Sequence, residues 1–446
     1  MKNLFILLAI IMATTMLSAK PGDGNKIFPF PYEKVTLPNG LKAILVPFDS
    51  PGLAAYYTVV RTGSRDEWEP GKSGFAHFFE HMMFRGTDTY PGHVYDSIVT
   101  SIGADANAYT SDDMTVFHLN IASADLERVM EIESDRFQNL KYTKEQFQTE
   151  SGAVYGEYRK GRTNPWDVAI ETMRDMAFDK HTYKHTTIGF ERDVKDMPNQ
   201  YEYSRSFYQR YYRPSNAVVV IVGDFDGAKV KSLLNKYYGS WGGAYVSPRI
   251  DPEPAQTAPR KQEVTYPGKT LPLVILGYKN DAFSTTNREY LATYHLAELA
   301  FGNTSELYKK LVLEEQKVQG IFTNPGPTRD PYMFEIYVEI KDEKDIDHVI
   351  GEIKSALAKF ANTPVSTEKL EQLKKRNKYG FLMSLDTPDA IAGIMPQFIT
   401  MTGDIDAIDA FYSGLDAVTP VDICNAVKKY FVPSNENLII LKGAKE

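Results

Sequence analysis

A six-residue phrase occurs twice in this chain. Tyr211-Tyr212-Arg213-Pro214-Ser215-Asn216 leads into an apolar run ending at Gly223, and Tyr430-Phe431-Val432-Pro433-Ser434-Asn435 leads into another ending at Gly443. Asn216 and Asn435 stand 219 residues apart, about the length of one domain. In both copies a helical pattern enters a Pro-Ser-Asn turn and leaves as a strand. A chance turn would not carry that shared context, so the phrase reads as a duplicated unit. The chain must then fold as two related halves, each combining helices with a mostly antiparallel sheet, which is an α+β architecture.

The length agrees, since 446 residues exceed one ordinary core and suit two. A net charge of −8 excludes the basic footprint of a nucleic-acid binder. The single cysteine, Cys424, can form neither an internal disulfide nor a thiolate zinc cage, so any bound metal must sit on histidines and carboxylates. Lys2, the apolar run Leu4 to Leu17 and the small residues to Ala19 read as a secretory signal peptide cut after Ala19. An exported protein, periplasmic or secreted, is expected.

The organisation follows from pattern. Residues 27–240 form the first domain, the Pro- and Gly-rich stretch 241–261 a linker, and 262–446 the second domain. Asn39-Gly40 marks a hairpin turn between Val35–Leu37 and Leu41–Val46. Ala106 to Tyr109 and Met114 to Ile121 read as strands, Lys144 to Arg162 as a helix, and Ala217 to Val222 as a strand buried on both faces.

The chemistry is concentrated in Gly74-Phe75-Ala76-His77-Phe78-Phe79-Glu80-His81-Met82-Met83-Phe84. On a helix His77 and His81 lie one turn apart on one face, with Glu80 at its edge and Ser73 as the expected N-cap. Two imidazoles invite one zinc ion, and a carboxylate beside a zinc-bound water can act as general base, the role expected of Glu80. The alternative, two packed histidines on an amphipathic helix, leaves three polar groups among phenylalanines without partners. A third ligand is needed, and Glu145, Glu150 and Glu157 share one predicted helix. Glu150 and Glu157 are seven residues apart and share a face, but spacing does not choose between them. His181 and His185, also four apart, have no acidic neighbour in sequence and read as structural. His118, on an alternating strand, reads as a packed histidine.

The sequence resembles the inverted-zincin metallopeptidases that include pitrilysin, insulysin and mitochondrial processing peptidase. The carriers are Gly63-Ser64-Arg65-Asp66-Glu67, the histidine segment through Arg85-Gly86-Thr87, Asn107-Ala108-Tyr109-Thr110-Ser111-Asp112-Asp113, His181 to Gly189, and Tyr212 to Asn216. The resemblance implies two homologous α+β domains facing each other across a peptide-holding chamber. It implies one zinc ion per chain, with Glu157, 76 residues after His81, as third ligand and Glu150 behind the ligands. It also implies that the strand at Asn107 and Ala108 binds substrate peptides by β-augmentation.

Active relatives usually carry an arginine and a tyrosine, seven apart, in the second domain. Here Val312 and Gln319 stand at the matching positions, and Arg329 and Tyr332 have the wrong spacing. The expectation is an exported zinc endopeptidase acting on peptides or small unfolded proteins, completed by a homologous partner subunit that supplies the Arg/Tyr pair; a homodimer is the other assembly. The alternative is a non-catalytic peptide-binding or scaffold subunit.

Overall fold

The computed structural model describes residues 26–444, so the expected signal peptide lies outside the described residues. Two sheets organise the fold. The first runs in the order β1 (Glu33–Thr36), β2 (Lys42–Pro47), β6 (Ala217–Gly223), β3 (Leu53–Val60), β5 (Thr115–Ala122), β4 (Asp105–Thr110). The second runs β7 (Arg260–Tyr266), β11 (Glu436–Gly443), β8 (Leu273–Asn280), β10 (Tyr332–Ile340), β9 (Val318–Asn324). In each sheet the strand after the Pro-Ser-Asn turn pairs parallel with one neighbour, β2 or β7, and antiparallel with the other, β3 or β8. The second sheet repeats the connectivity of the first without β1.

The repeated asparagine has the same job in both copies. The side-chain amide of Asn216 donates to the Tyr211 carbonyl at 2.9 Å, and that of Asn435 to the Tyr430 carbonyl at 3.0 Å. Each bonds a carbonyl at the end of the preceding helix, that of Tyr211 being shared with the Arg213 N–H, and turns the chain into its strand. The duplication read from sequence is thus a duplicated hydrogen bond as well as a duplicated topology.

The halves exchange helices. Pro165–Ala177, from the first half, packs on β7, β8 and β11 of the second sheet. Pro388–Thr402, from the second half, packs on β3 and β6 of the first. Every residue of β6 is buried, because Val218, Val220 and Val222 face the exchanged helix while Val219 and Ile221 face the first half's own core. A hydrogen bond from the Tyr57 hydroxyl to Asp389 Oδ1, 2.6 Å, fastens the second contact.

Lys279, on β8, sits awkwardly at the first contact. Among the described residues its Nζ is buried without a hydrogen bond, and it lies 3.4 Å from the centre of the Phe178 ring. Burial pushes its pKa down to about 7, with Glu253 and Asp179 pulling it up and Arg260 pushing it further down. Between about 7 and the ordinary 10.5 the unfolded chain therefore holds a proton that the folded chain has released. This residue's contribution to stability rises with pH across that window and is lowest below it. Lys279→Met is expected to stabilise the protein at neutral pH by on the order of 1–3 kcal/mol and to flatten that slope. Denaturant titrations at several pH values across the window measure both effects.

Candidate metal centre

The helix Phe75–Met82 is short, and its stability comes from packing rather than propensity. Phe75, Ala76, Phe78, Phe79 and Met82 are buried, and Phe79 stacks on Phe207 at 5.3 Å. His77, Glu80 and His81 occupy the opposite, half-buried face.

The helix start differs from expectation. Ser73 does not cap it: its hydroxyl donates to Asp193 Oδ2 at 2.6 Å and accepts from the Phe190 N–H at 2.9 Å. The N-cap is Gly74, at φ 93°, where an added Cβ would meet the Ile188 carbonyl oxygen at 2.7 Å. The carboxylate of Glu67 takes the N–H groups of Gly74 and Ala76, both at 2.6 Å. Burial pushes the Glu67 carboxyl well above its ordinary value against these two bonds, and its two oxygens satisfy two orphan N–H groups where a serine hydroxyl would satisfy one, which explains the substitution of one cap for the other.

Three donor atoms meet above this face. Glu157 Oε2 lies 3.6 Å from His77 Nε2 and 3.5 Å from His81 Nε2. Among the described residues, His77, His81 and Glu157 form the one group of three or more His, Cys, Asp or Glu arranged to hold a metal ion. A tetrahedral ion with bonds of about 2.0–2.2 Å separates its ligands by roughly 3.3–3.6 Å, which the two Glu157 separations match. Among the described residues Nδ1 of His77 is buried without a hydrogen-bond partner, and burial, then His81, pushes its pKa down to about 4. It is therefore a neutral imidazole with a lone pair to offer. The donor set fits zinc.

Glu150 supports this set from below. Its Oε1 lies 2.9 Å from His81 Nδ1, and its Oε2 accepts from Arg85 Nε at 2.6 Å. Burial raises the Glu150 carboxyl, but the His81 hydrogen bond and the Arg85 charge outweigh it and hold the pKa below the ordinary value. The same hydrogen bond, ahead of burial, raises His81. With Nδ1–H donated to Glu150, His81 presents its Nε2 lone pair towards His77 and Glu157. Glu145 is exposed and stands outside the group.

Glu80 is pushed upward by burial, opposed by the Thr110 hydroxyl, which donates to its Oε2 at 2.6 Å, and by His81. Thr110 ends β4, the edge strand beside the helix. Asn107 is exposed on that strand, opposite His118, and its Oδ1 accepts from the Ala108 N–H at 2.8 Å. Arg85 and Thr110 fall within the stretches that carry the resemblance, but their partners do not show in the sequence, because a contact between separate elements leaves no periodic trace.

The remaining polar residues are engaged elsewhere. His181 Nε2 lies 3.0 Å from Asp330 Oδ2, His185 Nδ1 lies 3.0 Å from the Thr186 carbonyl, and both are buried. His118 stacks on Tyr57 at 4.9 Å. Val312 packs against the core and Gln319 is exposed on β9. Arg329 Nη1 lies 3.7 Å from Asp66, and Tyr332 is buried beneath the Arg174 guanidinium.

Two family profiles match the chain: Insulinase (Peptidase family M16) over residues 53–190 and Peptidase M16 inactive domain over residues 200–377. The zinc protease PqqE of Helicobacter pylori is 27% identical over 419 residues, covering 92% of this chain and 93% of that protein. The crystal structure of a protease from Helicobacter pylori superposes with a TM-score of 0.87 at 27% identity, over 93% of this chain and 99% of that one. The periplasmic protease PqqL from Escherichia coli superposes with a TM-score of 0.74 at 20% identity, over 93% of this chain but 48% of that one.

Proposed function

The chain belongs to the insulinase peptidase family M16, and from that premise we propose that it is an exported zinc metalloendopeptidase acting on peptides or small unfolded proteins. The observation that carries the proposal is the convergence of His77, His81 and Glu157 within 4.8 Å, on the helix face that also bears Glu80. Residues 27–240 are the zinc-binding domain in this reading, and 262–446 its homologous companion without zinc.

His77, His81 and Glu157 would hold one zinc ion, and Glu150 would orient His81. A bound zinc ion supplies Lewis acidity, lowering the pKa of a water and polarising a peptide carbonyl. Glu80 takes the proton of the attacking water. With Oε2 occupied by Thr110, Oε1 is the oxygen free to receive it. As the carbon–nitrogen bond breaks, Glu80 returns that proton to the leaving amine, so the carboxylate is regenerated. Asn107 and Ala108 on β4 align the substrate backbone as an added strand next to the site.

The second half offers Val312 and Gln319 rather than an arginine and a tyrosine, which supports a homologous partner subunit bearing that pair. The likeness to about half of the longer PqqL chain points the same way. Export is supported by the Lys2 to Ala19 segment; among the described residues no helix is long and apolar enough to cross a membrane.

Hydrolysis of an unfolded reporter peptide tests the reading. Chelation is expected to abolish cleavage, and one equivalent of zinc to restore it. A partner with the Arg/Tyr pair is expected to raise kcat by about 10²–10³-fold, the range for one oxyanion-stabilising donor. A chain that cleaves equally fast without its partner contradicts the shared site. A chain that binds no stoichiometric zinc is the scaffold subunit instead.

A further inference from the structure

We propose that Thr110 is the positioning residue of the candidate base; the proposal rests on the reading of Glu80 as that base. Glu80 has three side-chain torsions and stands on a half-buried helix face, where a carboxylate free to rotate would miss the attacking water. Among the described residues its one hydrogen bond comes from Thr110 Oγ1, at 2.6 Å to Oε2. That bond fixes the plane of the carboxylate and leaves Oε1 unengaged.

Thr110 can do this because its backbone is immobilised from three sides. It pairs with Thr115 at the end of β4, where Ser111 N–H donates to the Met114 carbonyl at 2.8 Å. The turn that follows is packed against Gly63, whose added Cβ would lie 2.3 Å from the Ser111 carbonyl oxygen, and Arg65 N–H donates to the Asp112 carbonyl at 2.8 Å. Asp112 receives both terminal nitrogens of Arg174, at 2.6 and 3.0 Å, from the exchanged helix. Asp113 receives the Tyr183 hydroxyl at 2.9 Å and the Arg329 N–H, from the second half, at 3.1 Å. A hydroxyl presented by so constrained a strand end can hold a flexible carboxylate in one orientation. The same strand is the edge on which substrate would lie, so the base and the scissile bond share one mechanical reference.

Thr110→Val keeps the β-branched shape and removes the donor, while Thr110→Ser keeps the donor. Thr110→Val is expected to lower kcat by about 10–100-fold, with KM, zinc affinity by chelator competition and thermal midpoint essentially unchanged. Thr110→Ser should recover most of the rate. In a Glu80→Gln background, Thr110→Val should lower the residual rate no further and leave peptide affinity unaltered. The proposal is overturned if Thr110→Val retains full kcat, if the loss falls on KM or zinc affinity, or if serine fails to restore it. When Glu80→Gln is inactive and Thr110→Val is unimpaired, only the positioning role falls; when Glu80→Gln hydrolyses peptide normally, the base reading falls and takes this one with it.

Discussion

Glu80→Gln is expected to fold, retain its zinc and lose peptide hydrolysis, with kcat reduced by roughly 10²–10⁴-fold, the range for a general base. Glutamine is nearly isosteric and its amide oxygen still accepts from the Thr110 hydroxyl, so the side chain keeps its place. It lacks a lone pair basic enough to take a proton from water. The apolar face of the helix, from Phe75 to Met82, is untouched, so the unfolding midpoint should not move. Measured kcat with zinc content on the same preparation decides the matter. Undiminished hydrolysis in a zinc-loaded variant removes Glu80 from the chemistry.

Glu157→Ala is the second large effect, and it falls on the metal. Glu157 is about half exposed, and its Oε2 lies 3.6 and 3.5 Å from the Nε2 atoms of His77 and His81. Its loss leaves no buried group unpaired, so the fold should be indifferent. Zinc affinity is expected to fall by about 10²–10³-fold, one ligand's share of a protein zinc site. Titration against a chelator of known affinity measures this, and activity should return with excess zinc. Glu150→Gln provides the contrast: it keeps all three ligands but weakens the hold on His81, and should cost about 10–100-fold. It should also disturb folding, because Glu150 is buried and pairs with Arg85. If Glu157→Ala bound zinc as tightly as the wild type, the ion would have to sit elsewhere.

Much of this geometry leaves a trace in the sequence, and what does not has a common cause. The histidine pair and the shared face of Glu150 and Glu157 are legible because each lies within one helix, where the period fixes relative direction; which glutamate meets the imidazoles is implied only by the family resemblance. The duplicated Pro-Ser-Asn phrase is legible because the asparagine side chain acts locally, on a carbonyl five residues back. The exchange of Pro165–Ala177 and Pro388–Thr402 between the sheets is not legible, since an amphipathic pattern shows that a face is apolar and not which sheet covers it. The helical stretches near Ala297 and Lys309 have a wider, π-helical winding that residue pattern alone does not signal. Thr110 to Glu80, Arg85 to Glu150 and Glu67 to the helix N-terminus are each contacts between separate elements. Ser73 shows the hazard in reverse: a good local cap was displaced by a carboxylate from seven residues before Gly74.

One zinc ion is expected to join His77, His81 and Glu157. Anomalous diffraction from crystals of the zinc-loaded protein, collected on both sides of the zinc edge, tests it most directly. A single peak about 2.0–2.2 Å from His77 Nε2, His81 Nε2 and a Glu157 oxygen is the predicted result. A peak bound through other side chains, or no peak at these three in protein carrying stoichiometric zinc, would contradict it.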